Sequence, residues 1–167
     1  ENQRLKDIVD DYLIKSDTVF AKVLSDKGSP FLKSIIINRG SKHGVKLGMV
    51  AMDEEYLVGK VVEVNYMSSR VLLLSDLNSK IPVTVEPNGL LSILSGTGEN
   101  YGVIQYSKAY EDIQLHSVIY TSGTSGLFKA GIPIGQINVN FLDDEKKVEF
   151  FSDFSQLKFV EIFSFTK

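Results

Sequence analysis

After Ser16 the chain changes rhythm: short runs rich in Val, Ile, Leu and Tyr follow one another, each closed by Gly, Asn, Asp or Ser. Residues that alternate sides at every second position belong to half-buried strands, and the small polar residues between such runs favour turns. Val19, Ala21 and Val23 alternate with Phe20, Lys22 and Leu24, and 34–38 is a brief run with an all-apolar interior. Further strands are expected at 57–64, 71–74, 81–85, 91–95, 101–106, 118–121, 132–141, 147–151 and 158–165. Within 81–86, Ile81, Val83 and Val85 should face inward and Thr84 and Glu86 outward. About a dozen short strands with no helical pattern among them predict an all-β protein made of two small β-barrels, which close their own edges.

Counting strands suggests how the chain divides. The segment 34–106 holds about seven, enough to close a barrel alone, whereas 107–167 holds four and must borrow 18–24. The expected partition is therefore a first barrel from 16–33 plus 107–167, with 34–106 inserted as the second. Ahead of them, Leu5, Ile8, Val9, Tyr12 and Leu13 recur at helical spacing, so 1–15 reads as a short amphipathic N-terminal helix. Helices this short are marginal alone. The segment either packs on the barrels or ends a coiled coil that begins upstream, with Leu5, Ile8 and Tyr12 as its self-association residues.

Composition narrows the function. The 167 residues are 43% apolar, enough for one ordinary domain or two small ones. A net charge of −3 and no lysine-rich run give no electrostatic footprint for nucleic acid. Without cysteine there are no disulfides, thiolate metal sites or Cys nucleophiles, and two His residues supply little metal chemistry. No apolar run approaches the ~20 residues of a membrane span. The opening ENQRLKDIVDDYL has no initiator Met, as an excised fragment would lack it.

Two motifs invite an enzymatic reading. YTSGTSGLFK at 120–129 resembles the phosphate loop of adenylate-forming enzymes, in which glycine amides, hydroxyls and a Lys hold phosphate oxygens. Those enzymes are about three times longer, and their other motifs are missing. His43, Asp76 and Ser125 follow the His, Asp, Ser order of chymotrypsin-like proteases, with GTSG at 123–126 where those have G-D-S-G. This chymotrypsin-like serine hydrolase is the alternative function. Against it, His43 sits in the lysine-flanked turn RGSKHGVKLG, and Asp76 follows the apolar strand VLLLS, where turn carboxylates are usual. His116 reads as a turn residue, and the acidic clusters 53–55, 111–112 and 143–145 read as hairpin loops. No catalytic residue, metal site or cofactor is expected.

Three stretches together resemble the rod shape-determining MreC family: GSKHGVKLGMVAM at 40–52, YLVGKVVEVNYMSSRVLLLSDLNSKIPVTV at 56–85 and TSGTSGLFKAGIPIGQI at 121–137. They match its patterns G-x-x-x-G-V-K-x-G-M-V, V-G-x-V-x-E-V, S-R-V-L-L-x-x-D with I-P-V, and T-S-G followed by F and G-I-P-x-G. The resemblance extends over about 100 of the 167 residues. The chain departs from the family at His116-Ser117, where Gly-Asp is common, and at Lys129, where Pro often follows the Phe. The resemblance implies a non-enzymatic scaffold of bacterial cell-wall elongation, held in the cell membrane by one upstream span. A coiled coil and two β-barrels would then lie outside the membrane, one barrel resembling an inactive chymotrypsin-like barrel. It further implies association with MreD, RodA and a class B penicillin-binding transpeptidase, and homodimerisation.

Six of the ten Phe residues fall in the last 18 positions. Along 158–165, Phe159, Phe163 and Phe165 share one face with Glu161, and Val160 and Ile162 share the other. A small barrel can cover only one of these faces. The aromatic set Phe159, Phe163 and Phe165 is thus the candidate partner-binding surface, unless the helix or the other barrel buries it.

Overall fold

The computed structural model describes residues 18–24, 33–86, 89–105, 116–123, 130–138 and 147–164. The expected helix with Leu5, Ile8 and Tyr12 lies outside them, as do Ser125 and Phe165.

Twelve strands form in chain order among the described residues: β1 Val19–Leu24, β2 Ser34–Ile37, β3 Val50–Asp53, β4 Tyr56–Val64, β5 Ser69–Leu73 and β6 Lys80–Glu86, followed by β7 Leu90–Gly96, β8 Tyr101–Gln105, β9 Val118–Thr121, β10 Pro133–Asn138, β11 Lys147–Phe150 and β12 Phe159–Phe163. They close into two barrels with the orders β1-β12-β3-β4-β5-β2 and β10-β11-β8-β7-β6-β9. The all-β, two-barrel expectation therefore holds. Strand β3 was missed by the sequence pattern, because its four residues directly follow the Gly-rich turns of 40–48.

The expected partition does not match this strand order. Strands β2 to β5 belong with β1 and β12, and β9 to β11 belong with β6 to β8, so the inserted barrel runs from β6 to β11. Counting failed because it grouped strands that are near in sequence. β12 instead closes the first barrel against β1 and β3 from far along the chain, with Ala21 opposite Val160 and Ala51 opposite Ile162.

Alternation places the cores. Ala21, Ile35, Ile37, Ala51, Val58, Val61, Val71, Val160 and Ile162 fill the first barrel. Ile81, Val83, Val85, Leu94, Ile119, Ile134 and Val148 fill the second. Strand β4 breaks its period between Leu57 and Gly59, where the register against β3 shifts. Leu57 and Val58 are consequently both fully buried although adjacent, Val58 in the first core and Leu57 in the second. Val50, Met52 and Phe163 likewise leave the outer face of the first barrel and join the apolar cluster of the second. The Ser152 hydroxyl adds a polar tie, donating to Asp53 Oδ2 at 2.7 Å.

The registers also give the first barrel two unlike ends. Because every neighbouring pair is antiparallel, the starts of β1, β3 and β5 share one end with the finishes of β2, β4 and β12. Thr18 and Ser164, where the described chain enters and leaves, are at this end. The second barrel is inserted between the finish of β5 and the start of β12, at the opposite end.

Gly40 makes the first end compact. A Cβ there would run into the carbonyl oxygens of Asn65 and Tyr66, so only glycine lets the 39–44 turn lie on the β4–β5 hairpin. The amides of Ser41 and Lys42 donate to those two carbonyls at 2.9 and 3.1 Å.

Candidate partner-docking face

Strands β1 and β12 are neighbours, and their outward side chains form one surface. Phe20 of β1 is 57% exposed and Phe159 of β12 is 48% exposed. Their rings stack at 5.3 Å between centroids and 18° between planes. An aromatic pair left this open on a folded barrel is unusual, since such rings are the side chains that dominate protein interfaces when they find a partner. Beside the stack lies a cleft of about 330 Å³, with Phe20, Met52 and Phe159 among its apolar lining and Glu54, Glu161 and Lys158 among its charged residues.

The neighbouring β3–β4 turn adds negative charge. Asp53 pairs with Tyr56 across a two-residue turn of Glu54 and Glu55, with Glu54 at φ 56°. The Glu55 carboxylate beside Tyr56, with partial burial and then Glu54, pushes the phenol above its ordinary pKa. Asp153 is engaged locally, its Oδ1 accepting from the Ser155 amide at 3.0 Å. The face is thus aromatic in the middle and acidic on the side of the 53–55 turn.

Phe163 does not belong to this surface. It is 2% exposed and packs in the apolar cluster with Leu57 and Ile81, because the second barrel covers that end of the outer face of β12. Phe159 remains open at the other end of the same strand. Phe20 was not singled out from the sequence, yet the alternation of β1 puts it on the outer face with Lys22 and Leu24, all three exposed. An aromatic residue on the polar side of an amphipathic strand was the available signal.

The hydrolase constellation is not assembled. The Gly40 amide donates to His43 Nδ1 at 3.1 Å, so the atom that would have to donate to a catalytic carboxylate is itself an acceptor. The buried Asp76 accepts from the Lys33 amide at 2.7 Å and from the Asn78 amide at 2.8 Å, and so holds its turn. His43 lies beyond the start of β5 and Asp76 beyond its finish, with the whole strand, roughly 13 Å or more at about 3.3 Å per residue, between them. The described part of the phosphate-loop look-alike is also committed to the fold. Thr121 Oγ1 accepts from the Ile132 amide at 3.0 Å, and the Thr121 and Ile132 main chains pair as well.

The family model for "Rod shape-determining protein MreC, barrel core" matches residues 23–164. The chain belongs to the MreC family. The MreC cell shape-determining protein of Cereibacter sphaeroides is 34% identical over 140 residues, which are 84% of this chain and 46% of that protein. The chain spans less than half the length of the curated MreC relatives it matches. The MreC crystal structure from Pseudomonas aeruginosa superposes with a TM-score of 0.78 at 28% identity, over 87% of this chain and 97% of that one. A chain from a complex between penicillin-binding protein PBP2 and MreC of Helicobacter pylori superposes with a TM-score of 0.64 at 13% identity, over 87% of this chain and 98% of that one, and shows the shared fold. Membership of the MreC family accounts for the motifs at 40–52, 56–85 and 121–137, whose described residues form turns and strands of the barrels.

Proposed function

We propose that this chain is the extracytoplasmic barrel region of a non-enzymatic scaffold that organises peptidoglycan synthesis during cell elongation. A class B penicillin-binding transpeptidase docks on the Phe20–Phe159 face. The match to the MreC family over 23–164 supports the scaffold reading, and the complex of penicillin-binding protein PBP2 with MreC of Helicobacter pylori favours a penicillin-binding protein as the kind of partner. The exposed aromatic stack supports the choice of surface, since a partner that covers two neighbouring rings gains a large apolar contact. RodA and MreD are further partners under this reading. An upstream span anchors the protein in the cell membrane, and the 1–15 helix, through Leu5, Ile8 and Tyr12, leads back to it and pairs two copies.

The test uses immobilised chain and a purified class B transpeptidase. The double variant Phe20→Ser, Phe159→Ser should keep its melting temperature within a few degrees, because both side chains are about half exposed and neither fills a core. It should lose about tenfold or more in capture, as expected for interface anchors. Phe163→Ser, by contrast, should cost about 3 kcal/mol or more, being a core truncation. Full capture by the folded double variant would remove the docking assignment.

A further inference from the structure

Residues 151–158 carry the chain from the second barrel back into the first, and they are held at both ends and in the middle. The Phe151 amide donates to the Ile134 carbonyl on β10 at 3.0 Å, and the Lys158 carbonyl accepts from the Val23 amide on β1 at 2.8 Å. Between these anchors a short 3-10 turn, Phe154–Gln156, opens with Asp153 Oδ1 accepting from the Ser155 amide and hydroxyl. The Phe154 ring meets Phe150 at 4.9 Å and packs against both apolar cores. A segment wedged in this way is tied to the positions of both barrels, because close-packed side chains transmit displacement.

The same stretch of chain lines two clefts in turn. Residues 149–155, with Asn100, line one of about 370 Å³, and residues 156–161 line the cleft beside the Phe20–Phe159 stack. Ser152 belongs to the first lining and Asp53 to the second, so the 2.7 Å hydrogen bond from the Ser152 hydroxyl to Asp53 Oδ2 joins the two. Two residues further on, the Tyr56 ring meets Phe151 at 5.2 Å. The β3–β4 turn, which supplies the acidic side of the docking face, is therefore held from the second barrel by a hydrogen bond to a carboxylate and by a ring contact. Neither Phe151 nor Ser152 lines the docking cleft itself.

We infer that Ser152 is a positioning residue for the docking face: through Asp53 and the 151–158 segment, the join between the barrels fixes the shape of the cleft beside Phe20 and Phe159. The inference rests on the docking reading above and adds what controls that site. With the bond made, the Asp53 carboxylate is drawn to Ser152 while Glu54 stays in the cleft wall. With the bond broken, the 53–56 turn and the 152–158 segment lose a common anchor, and docking must then order them, which weakens it. Coupling between two sites is reciprocal, so a partner seated on the Phe20–Phe159 face tightens the join between the barrels in its turn.

Capture of a purified class B transpeptidase by the immobilised chain tests it, with every variant measured at a temperature where circular dichroism shows it folded. Ser152→Ala should weaken capture by about fivefold or more, as expected for coupled sites, and Ser152→Thr, which keeps the hydroxyl, should retain it. Val83→Ala, a truncation in the second core away from the segment, controls for lost stability alone and should leave capture unchanged. Hydrogen exchange gives the reciprocal measurement: transpeptidase binding should slow exchange in 147–153, outside the docking cleft, in the wild-type chain and not in Ser152→Ala. Unchanged capture by folded Ser152→Ala, a loss matched by Val83→Ala, or no added protection in 147–153 would overturn the inference. Normal capture by Ser152→Ala beside lost capture by the Phe20→Ser, Phe159→Ser variant would do so and leave the docking reading standing, whereas a wild-type chain that captures nothing would remove both.

Discussion

Ser152 and Asp53 join the two barrels: the Ser152 hydroxyl, on the segment that leaves β11, donates to Asp53 Oδ2 on β3 at 2.7 Å. Ser152 is buried, and the Tyr56 and Phe151 rings meet next to this bond at 5.2 Å. Ser152→Ala should therefore cost about 1.5–3 kcal/mol, the range for a lost hydrogen bond to a charged group. Urea titration of the single variants and of the pair with Asp53→Asn would measure the coupling. Strictly additive losses would mean that the bond contributes nothing to holding the barrels together.

Asp76 makes a sharper prediction, because its buried carboxylate satisfies two backbone amides, Lys33 and Asn78. Asp76→Ala should leave both donors without this acceptor and lower stability by about 2–4 kcal/mol. The same variant should be neutral for labelling by a fluorophosphonate probe, since the wild-type chain should not label. Labelling that Asp76→Ala abolished in a folded protein would restore the hydrolase reading.

Ser92 should respond in the opposite direction. Its hydroxyl is buried in the second barrel and, among the described residues, has no hydrogen-bond partner. Ser92 stands opposite Val83 on β6, which is fully buried. Ser92→Ala should raise stability by up to about 1 kcal/mol, because it removes a desolvated polar atom at little loss of volume. A fall in the denaturation midpoint would show that the hydroxyl is satisfied in solution.

The residues differ in how far their neighbours in sequence dictated their surroundings. Ile81, Val83 and Val85 alternate with polar or less buried positions, and all three are in the second core, as the period-2 pattern demands. The same rule separated Val160 and Ile162 from Phe159 and Phe163 on β12. Turn chemistry was also local: His116 adopts φ 63° at the position where the family commonly has Gly, and the Glu54-Glu55 pair forms the expected hairpin loop.

Phe159 and Phe163 mark where local information ended. They are on the same strand and the same side of it, four residues apart, yet one is 48% exposed and the other 2%. Alternation decides which side of a sheet a residue faces, and on that point the sequence was sufficient. Whether that side meets water depends on what the rest of the chain lays over it. Here the second barrel, inserted between β5 and β12, covers the Phe163 end and stops short of Phe159. The assignment of strands to barrels was hidden for the same reason. A strand's own residues specify two faces and two hydrogen-bonding edges, but which distant strand completes those edges is settled only when all twelve compete for closure.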